Sequence, residues 1–343
     1  MRAYRLSAPG DAAVVDVDRP RPRRDEVLLR VLAAGVCRTD LTLIGNGGAG
    51  AIRLPVTLGH EISGQVTEVG DEVRTQRVGA NVAVYELRGC GVCIACSQGE
   101  DNLCREISPG AFGITQDGGM AEYVVVPARN LVDLGGLDPV QAAPMTDAGM
   151  TALHAIERGR ALLDPGAVAV VVGIGGLGHL ALQFLASTSK ATVIAVDADR
   201  ARLELAGELG AQAAVLSGNG AFERILDANR GRKVDVVFDF VGAQETLDVA
   251  ARVTRRGGGI VIVGGGGGRL CLTAQMGAGS APDREVTIVH TFGGMRRDLE
   301  KALALVADGQ VDSRTETFSL EDAGHAIGRL REGRVVGRAV LLP

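Results

Sequence analysis

The chain has 343 residues, enough at about 150 per domain for two domains with sizeable cores, which excludes a stapled mini-protein. Hydrophobic residues make up 46% and charged residues 22%, which excludes a chain that stays disordered. The 36 Lys and Arg against 41 Asp and Glu leave a formal charge of −5 with no long basic run, so no nucleic-acid partner is expected.

The opening MRAYRLSAPGD lacks the apolar run of a secretory signal, and a cytoplasmic protein is expected. EVLLRVLAAGV, EISGQVTEVG, ANVAVYEL and GGMAEYVVVP are alternating or β-branched and predict strands, punctuated by Gly and Pro as in a small irregular β domain. From about Pro139 the pattern changes. DPVQAAPMTDAGMTALHAIE has helical spacing. The strands AVAVVVG, ATVIAVD, VDVVFDFVG and GGIVIVGG follow, with the helices LGHLALQFLAS and RARLELAGELG among them. Such alternation predicts a parallel sheet covered on both faces. The end, through DLEKALALVADG, TETFSL, EDAGHAIGRLREG and RAVLLP, is predicted to complete the first domain. The expected boundaries are a first domain over 1–145 with a Cys-rich lobe at 89–105, a second over 146–284, and a return to the first over 285–343.

Pro165 to Ser189 carries no Asp, Glu, Lys or Arg and is long enough to span a bilayer as a helix. Its glycines at 173, 175, 176 and 178 argue instead for a strand, a tight turn and a buried helix, so no membrane partner is expected.

Four of six cysteines crowd into CGVCIACSQGEDNLC as Cys90, Cys93, Cys96 and Cys104. Two-residue gaps let successive thiolates turn toward one point, and four thiolates fill the closed tetrahedral shell of a structural zinc. A disulfide pair is disfavoured without export, and the last gap departs from the bacterial iron–sulfur run.

After AVAVVVG, the segment GIGGLG fits G-x-G-x-x-G at Gly173, Gly175 and Gly178, with Gly176 and Leu177 inside it and a helix beginning there. Asp197 closes the next strand, placed to accept hydrogen bonds from a ribose and to repel a 2′-phosphate, which favours NAD over NADP. Arg200 and Arg202 lie just beyond and soften that preference; Val241 is counted with the cofactor contacts.

Upstream, GVCRTD and LGHE supply Cys37, Thr39, Asp40, His60 and Glu61. With these the chain resembles the zinc-dependent medium-chain dehydrogenase/reductase family, the alcohol dehydrogenases, over essentially its full length: the Cys-rich lobe, GHE, the dinucleotide turn and the terminal GRAVLLP occur in the family order. The resemblance implies an α/β protein, with a Rossmann doubly wound parallel sheet domain plus a GroES-like irregular β-barrel catalytic domain, two zinc ions and NAD. It implies a small alcohol or ketone substrate and a homodimer or homotetramer.

By the same resemblance the catalytic zinc is held by Cys37, His60 and, in APMTDAGMTALH, Asp147, where the family usually has Cys. Asp keeps the site's charge, since Cys, His and Asp carry two negative charges between them, and a carboxylate oxygen is a competent zinc ligand. The TDAG segment is similar to that of a subset of bacterial secondary-alcohol dehydrogenases. Glu61 is implied to sit behind the metal, Thr39 to relay the alcohol proton, Asp40 to fix the His60 tautomer, Thr151 to lie near the nicotinamide and Arg338 to reach the pyrophosphate. Thr42 stands where many relatives carry a relay His. His154, His179, His290 and His325 are read as structural. Gly293 and Gly294, in a chain without Trp, point to an open pocket for a secondary alcohol. The alternatives are a polyol, sugar or formaldehyde-type dehydrogenase of the same family, or a non-catalytic nucleotide-binding protein.

Overall fold

A computed structural model of the chain describes every residue except 51, 108–109 and 273–281, with the backbone alone at 49–50. It divides into Met1–Met150 with Met295–Pro343, and Thr151–Gly294.

In the first unit the apolar run EVLLRVLAAGV becomes the strand Glu26–Val36, almost wholly buried because it has neighbours on both sides. Glu61–Val69 pairs with it antiparallel, as do Tyr123–Pro127 and Arg338–Leu342 on its other edge. Asn81–Val84, Leu131–Asp133 and Thr315–Ser319 complete a seven-stranded sheet, over a core that includes Leu29, Leu58, Ile62, Phe112 and Met120. Register decides what this sheet delivers. Gly35 lies opposite both Glu61 and Val340, and Ala339 lies opposite Val36. The end of the central strand, the start of Glu61–Val69 and the start of the C-terminal strand therefore bring Cys37, His60 and Arg338 to one edge.

The expected strand ANVAVYEL is broken in two, Asn81–Val84 and Leu87–Arg88, at Tyr85 and Glu86. The expected continuous helix through TDAG is also interrupted. A 3-10 turn, Ala143–Thr146, ends at Asp147 with φ −128° and ψ −71°, and a new helix runs over Ala148–Arg158. Asp147 and Thr151 are thus not one turn apart on a single helix.

The second unit is a six-stranded parallel sheet in the order Ala213–Leu216, Thr192–Asp197, Val168–Val172, Val234–Asp239, Thr254–Ile262, Thr287–His290. Strand order reverses between Val168–Val172 and Val234–Asp239, and ligands of open α/β sheets bind outside the carboxyl ends of strands at such a point. Thr287–His290 is the sixth strand of this sheet, so the unit runs to Gly294, ten residues past the expected end at 284; residues 273–281 of the expected domain lie outside the described residues. The charge-free stretch is the buried strand Val168–Val172 and the helix Gly178–Thr188. Among the described residues no helix is long and apolar enough to cross a membrane.

Candidate active site and cofactor turn

In the first unit, one ligand atom each from Cys37, His60, Glu61 and Asp147 lies within 4.8 Å of all the others. Oδ2 of Asp147 is 3.4 Å from both Cys37 Sγ and His60 Nε2. The break at Asp147 is pinned by Thr146, whose hydroxyl accepts from Ile62 N at 3.0 Å and donates to Ala143 O at 2.8 Å. Asp40 Oδ2 accepts from Cys37 N at 2.8 Å and its Oδ1 lies 3.6 Å from His60 Nδ1, an ion-pair distance longer than a hydrogen bond. That pairing leaves His60 Nε2 facing Asp147 and Cys37. Thr39 Oγ1 is 3.7 Å from Cys37 Sγ, while Thr42 is exposed and donates to Arg38 O.

Electrostatics at this edge are dominated by acids. Burial lowers the pKa of His60, but Asp40, Asp147 and Cys37 outweigh it and hold the imidazole well above its ordinary value. Burial pushes Glu61 up to about 8 against the opposing charge of Arg338. At Asp147 burial raises the pKa, and the hydrogen bond and charge of His60, with Arg338, overcome it and hold the carboxyl below its usual range.

A divalent ion fits this set. Thiolate, imidazole and carboxylate are zinc ligands, and Glu61 Oε2 is buried with no hydrogen-bond partner. The carboxylate has room only because residue 35 is glycine: a Cβ there would sit 1.8 Å from Glu61 Oε2.

The sequence did not foresee the partner that the structure gives Arg338. Its guanidinium is buried in the first unit and paired with Glu61, because the C-terminal strand inserts beside Glu26–Val36. Glu86 was not singled out as a site residue by the sequence. It is 4% exposed, and burial, with the charge of Asp147 adding to it, raises its pKa well above the usual range. The one signal available was an acid ending an otherwise apolar strand pattern.

The sulfur atoms of Cys90, Cys93, Cys96 and Cys104 converge within 4.8 Å, all as free thiols. Cys90 Sγ and Cys96 Sγ are 3.9 Å apart, close to the edge of about 3.8 Å of a tetrahedron with zinc–sulfur bonds of about 2.3 Å. Backbone N–H groups of Val92 and Cys93 donate to Cys90 Sγ. The N–H of Cys90 helps bring Cys104 down to about 6, whereas burial pushes Cys96 up to about 12. Asp101, buried, accepts from Gly89 N and from Arg129 and ties the lobe to the sheet region.

In the second unit, Gly173 has φ +86°, and a Cβ on Gly178 would meet Gly173 O at 1.9 Å, so both positions need glycine. The helix Gly178–Thr188 starts with Leu177 as its N-cap, where helix N–H groups lack intrahelical partners. Asp197, 7% exposed, accepts from Ile174 N at 2.6 Å and Asp199 N at 2.9 Å, locking the turn to the end of the next strand. Val241 Cγ2 is 2.6 Å from the position a Cβ on Gly173 would take, and Arg202 reaches within 3.9 Å of that on Gly175. Thr151 is buried in Ala148–Arg158.

Two family models match the chain: Alcohol dehydrogenase GroES-like domain over residues 23–136 and Zinc-binding dehydrogenase over residues 176–308. The chain is 37% identical to a NAD-dependent alcohol dehydrogenase of Sulfurisphaera tokodaii, with all of both chains covered. It is 34% identical to a D-arabinose 1-dehydrogenase (NADP(+)) of Saccharolobus solfataricus, covering 96% of this chain and 94% of that one. The crystal structure of an alcohol dehydrogenase from Aeropyrum pernix superposes with a TM-score of 0.92 at 35% identity over 100% of both chains. The chain belongs to the zinc-dependent medium-chain dehydrogenase/reductase family, with its GroES-like domain and its parallel-sheet nucleotide-binding domain.

Proposed function

We infer that this protein is a NAD-dependent, two-zinc alcohol dehydrogenase that interconverts alcohols, secondary ones in particular, with their ketones or aldehydes. The observation that carries the reading is the convergence of Cys37, His60, Glu61 and Asp147 in one cluster. When bound, zinc supplies Lewis acidity toward the substrate oxygen and NAD supplies the hydride acceptor.

The chain's own residues do the rest. Cys37, His60 and Asp147 hold the catalytic ion, with Glu61 in reach behind them. Asp40 orients His60 through Nδ1 so that Nε2 is the free donor. The Thr39 hydroxyl, beside Cys37 Sγ, takes the alcohol proton. Cys90, Cys93, Cys96 and Cys104 hold the structural ion and fix the lobe. The turn at Gly173–Gly178 carries pyrophosphate, with Gly175, Gly176 and Leu177 presenting backbone, and Asp197 accepts from the ribose; Thr151, Arg202 and Val241 border the cofactor.

The preference for secondary alcohols is supported by the absence of Trp and by Gly293–Gly294, residues that add no side-chain bulk. A polyhydroxylated substrate is the second reading, favoured by the buried Glu86 and in keeping with the name of the D-arabinose relative. The free thiols support a reducing, cytoplasmic setting. The edge strand Thr287–His290, with one strand neighbour among the described residues, supports a homodimer or homotetramer.

The test is a spectrophotometric screen of alcohols with NAD alongside a zinc count. Turnover of 2-alkanols with about two zinc per chain is expected. Full activity after metal removal, or no hydride transfer with any alcohol, would overturn the reading.

A further inference from the structure

The run of five glycines at 264–268 follows the strand Thr254–Ile262 and lies as a strap along the segment that leaves Val234–Asp239. Gly266 N donates to Val241 O at 3.0 Å, and Gly268 N to Gly242 O at 2.9 Å. Gln244 closes the far end, its Oε1 accepting from Arg269 N at 3.0 Å and its Nε2 donating to Arg269 O at 3.1 Å. Alternate glycines of the run face inward. A Cβ at 264 would collide with the carbonyl carbon of Val241, one at 266 would sit 2.5 Å from Val241 O, and one at 268 would sit 2.7 Å from Ala243 C. At 265 or 267 it would meet nothing within 4 Å. Gly242 answers from the facing segment, with φ +67° and a Cβ position that would collide with Gly264 O. Glycine at these places lets two backbones touch.

The same segment is gripped by Asp239, wholly buried at the end of its strand. Its Oδ1 accepts from Val241 N at 2.8 Å and from Gly242 N at 2.9 Å, and its Oδ2 accepts from the Thr246 hydroxyl at 2.7 Å. Its backbone O accepts from Val263 N at 2.9 Å and Gly264 N at 3.0 Å, so one residue ties the turn and the strap together. A carboxylate is tolerated in such a place only when donors meet it, and the turn supplies them.

Val241 stands between these two restraints. Its N and O are both tied, yet its side chain is 37% exposed, and Cγ2 lies 2.6 Å from where a Cβ on Gly173 would be. The valine occupies the space beside the dinucleotide turn that a side chain at 173 would need. An apolar side chain left open on so restrained a backbone, at the strand ends where the sheet order reverses, is what the wall of a ligand crevice requires.

We propose that Asp239 is a positioning residue for the cofactor and acts through Val241: with the glycine strap it holds the valine as the apolar wall of the dinucleotide crevice. This rests on the NAD-dependent dehydrogenase reading and deepens its account of the cofactor site. Loss of Asp239 then weakens dinucleotide binding and leaves the steps on the alcohol as they were.

The experiment titrates NADH into zinc-loaded protein, following the fluorescence of the nicotinamide itself, and measures kcat and KM for NAD with butan-2-ol. The variants are Asp239→Ala, Asp239→Asn, Gly264→Ala, Val241→Ala, and each of Asp239→Ala and Gly264→Ala combined with Val241→Ala. Asp239→Ala strips the acceptor from Val241 N and Gly242 N; Kd for NADH and KM for NAD rise about threefold to thirtyfold, while kcat at saturating NAD holds within about twofold. Asp239→Asn keeps an acceptor oxygen for both N–H groups and binds within about twofold of the wild type. Gly264→Ala pushes on Val241 from the strap and weakens binding in the same direction. With Val241→Ala already present, either change costs less than it does alone, because the side chain being held is gone. A fall in kcat with Kd and KM unmoved, or an Asp239→Ala effect of full size in the Val241→Ala background, makes Asp239 a brace of the fold alone and overturns the proposal while the dehydrogenase reading stands. Zinc-loaded wild type that binds no NADH overturns both. If Asp239→Ala does not fold, Gly264→Ala and its combination with Val241→Ala decide by the same criteria.

Discussion

Glu61 and Arg338 lie 277 residues apart in the chain and meet as a buried ion pair at the metal-ligand edge of the first unit. The contact exists because the C-terminal strand pairs with Glu26–Val36 on one side while Glu61–Val69 pairs on the other. A pair so placed joins the two ends of the sequence to the site.

Arg338→Gln removes the cation and leaves Glu61, fully buried, without its partner. Stripping one member from a buried pair costs about 3–5 kcal/mol. Urea unfolding should therefore register a loss of that order. A large rise in KM for NAD at unchanged stability would instead assign Arg338 to the pyrophosphate.

Asp147 is replaceable in one direction only. Asp147→Cys keeps a monoanionic zinc ligand at the position and should retain the catalytic zinc with measurable turnover. Asp147→Ala removes both the charge and the ligand atom that lies 3.4 Å from Cys37 Sγ and His60 Nε2. The zinc count should then fall from about two per chain to about one, with turnover down by a factor on the order of a thousand or more. Equal zinc content in the two variants would remove Asp147 from the ligand set.

Local patterns carried much of this architecture. The strand EVLLRVLAAGV, the βαβ alternation, the glycine turn with Asp197 and the cysteine spacing are each written in a short stretch, since periodicity and turn chemistry act over a few residues. The destination of Arg338 depends on which strand its segment joins, and no local pattern encodes a pairing across 277 residues. The breaks at Tyr85–Glu86 and at Asp147 were hidden for a related reason. Both fall inside runs whose composition favours continuing the element, and both are held by distant groups, Asn130 for the first and the Thr146 contact to Ile62 for the second. Glu86 followed from that break, since an acid on a regular strand next to a cysteine lobe reads as surface.

The Cys-rich lobe makes a separate prediction. Cys90, Cys93, Cys96 and Cys104 form a closed set, so its ion contributes to folding and is not needed by the reacting groups. Cys104→Ser should remove about one zinc per chain and lower the melting temperature by roughly 5–10 °C, corresponding to about 2–3 kcal/mol for a unit of this size. Protein that remains folded should keep its activity per catalytic zinc. A melting temperature unmoved by loss of that zinc would argue against a structural role.

Replacement of Asp197 should separate its structural task from the cofactor contact proposed for it. Its carboxylate accepts from Ile174 N and Asp199 N, which holds the glycine turn against the end of Thr192–Asp197, and the proposed function has it accept from a ribose as well. Asp197→Ala gives up both the acceptor and the negative charge that opposes a 2′-phosphate, while Arg202 stays near Gly175. The kcat/KM with NAD should fall about tenfold to a hundredfold, the worth of one charge-assisted hydrogen bond. The value with NADP should fall less or rise, because repulsion is removed as the turn loosens. Measuring both cofactors with one alcohol reports the ratio directly. If NAD and NADP decline in equal proportion, Asp197 acts only as a brace for the turn and cofactor choice lies in other side chains.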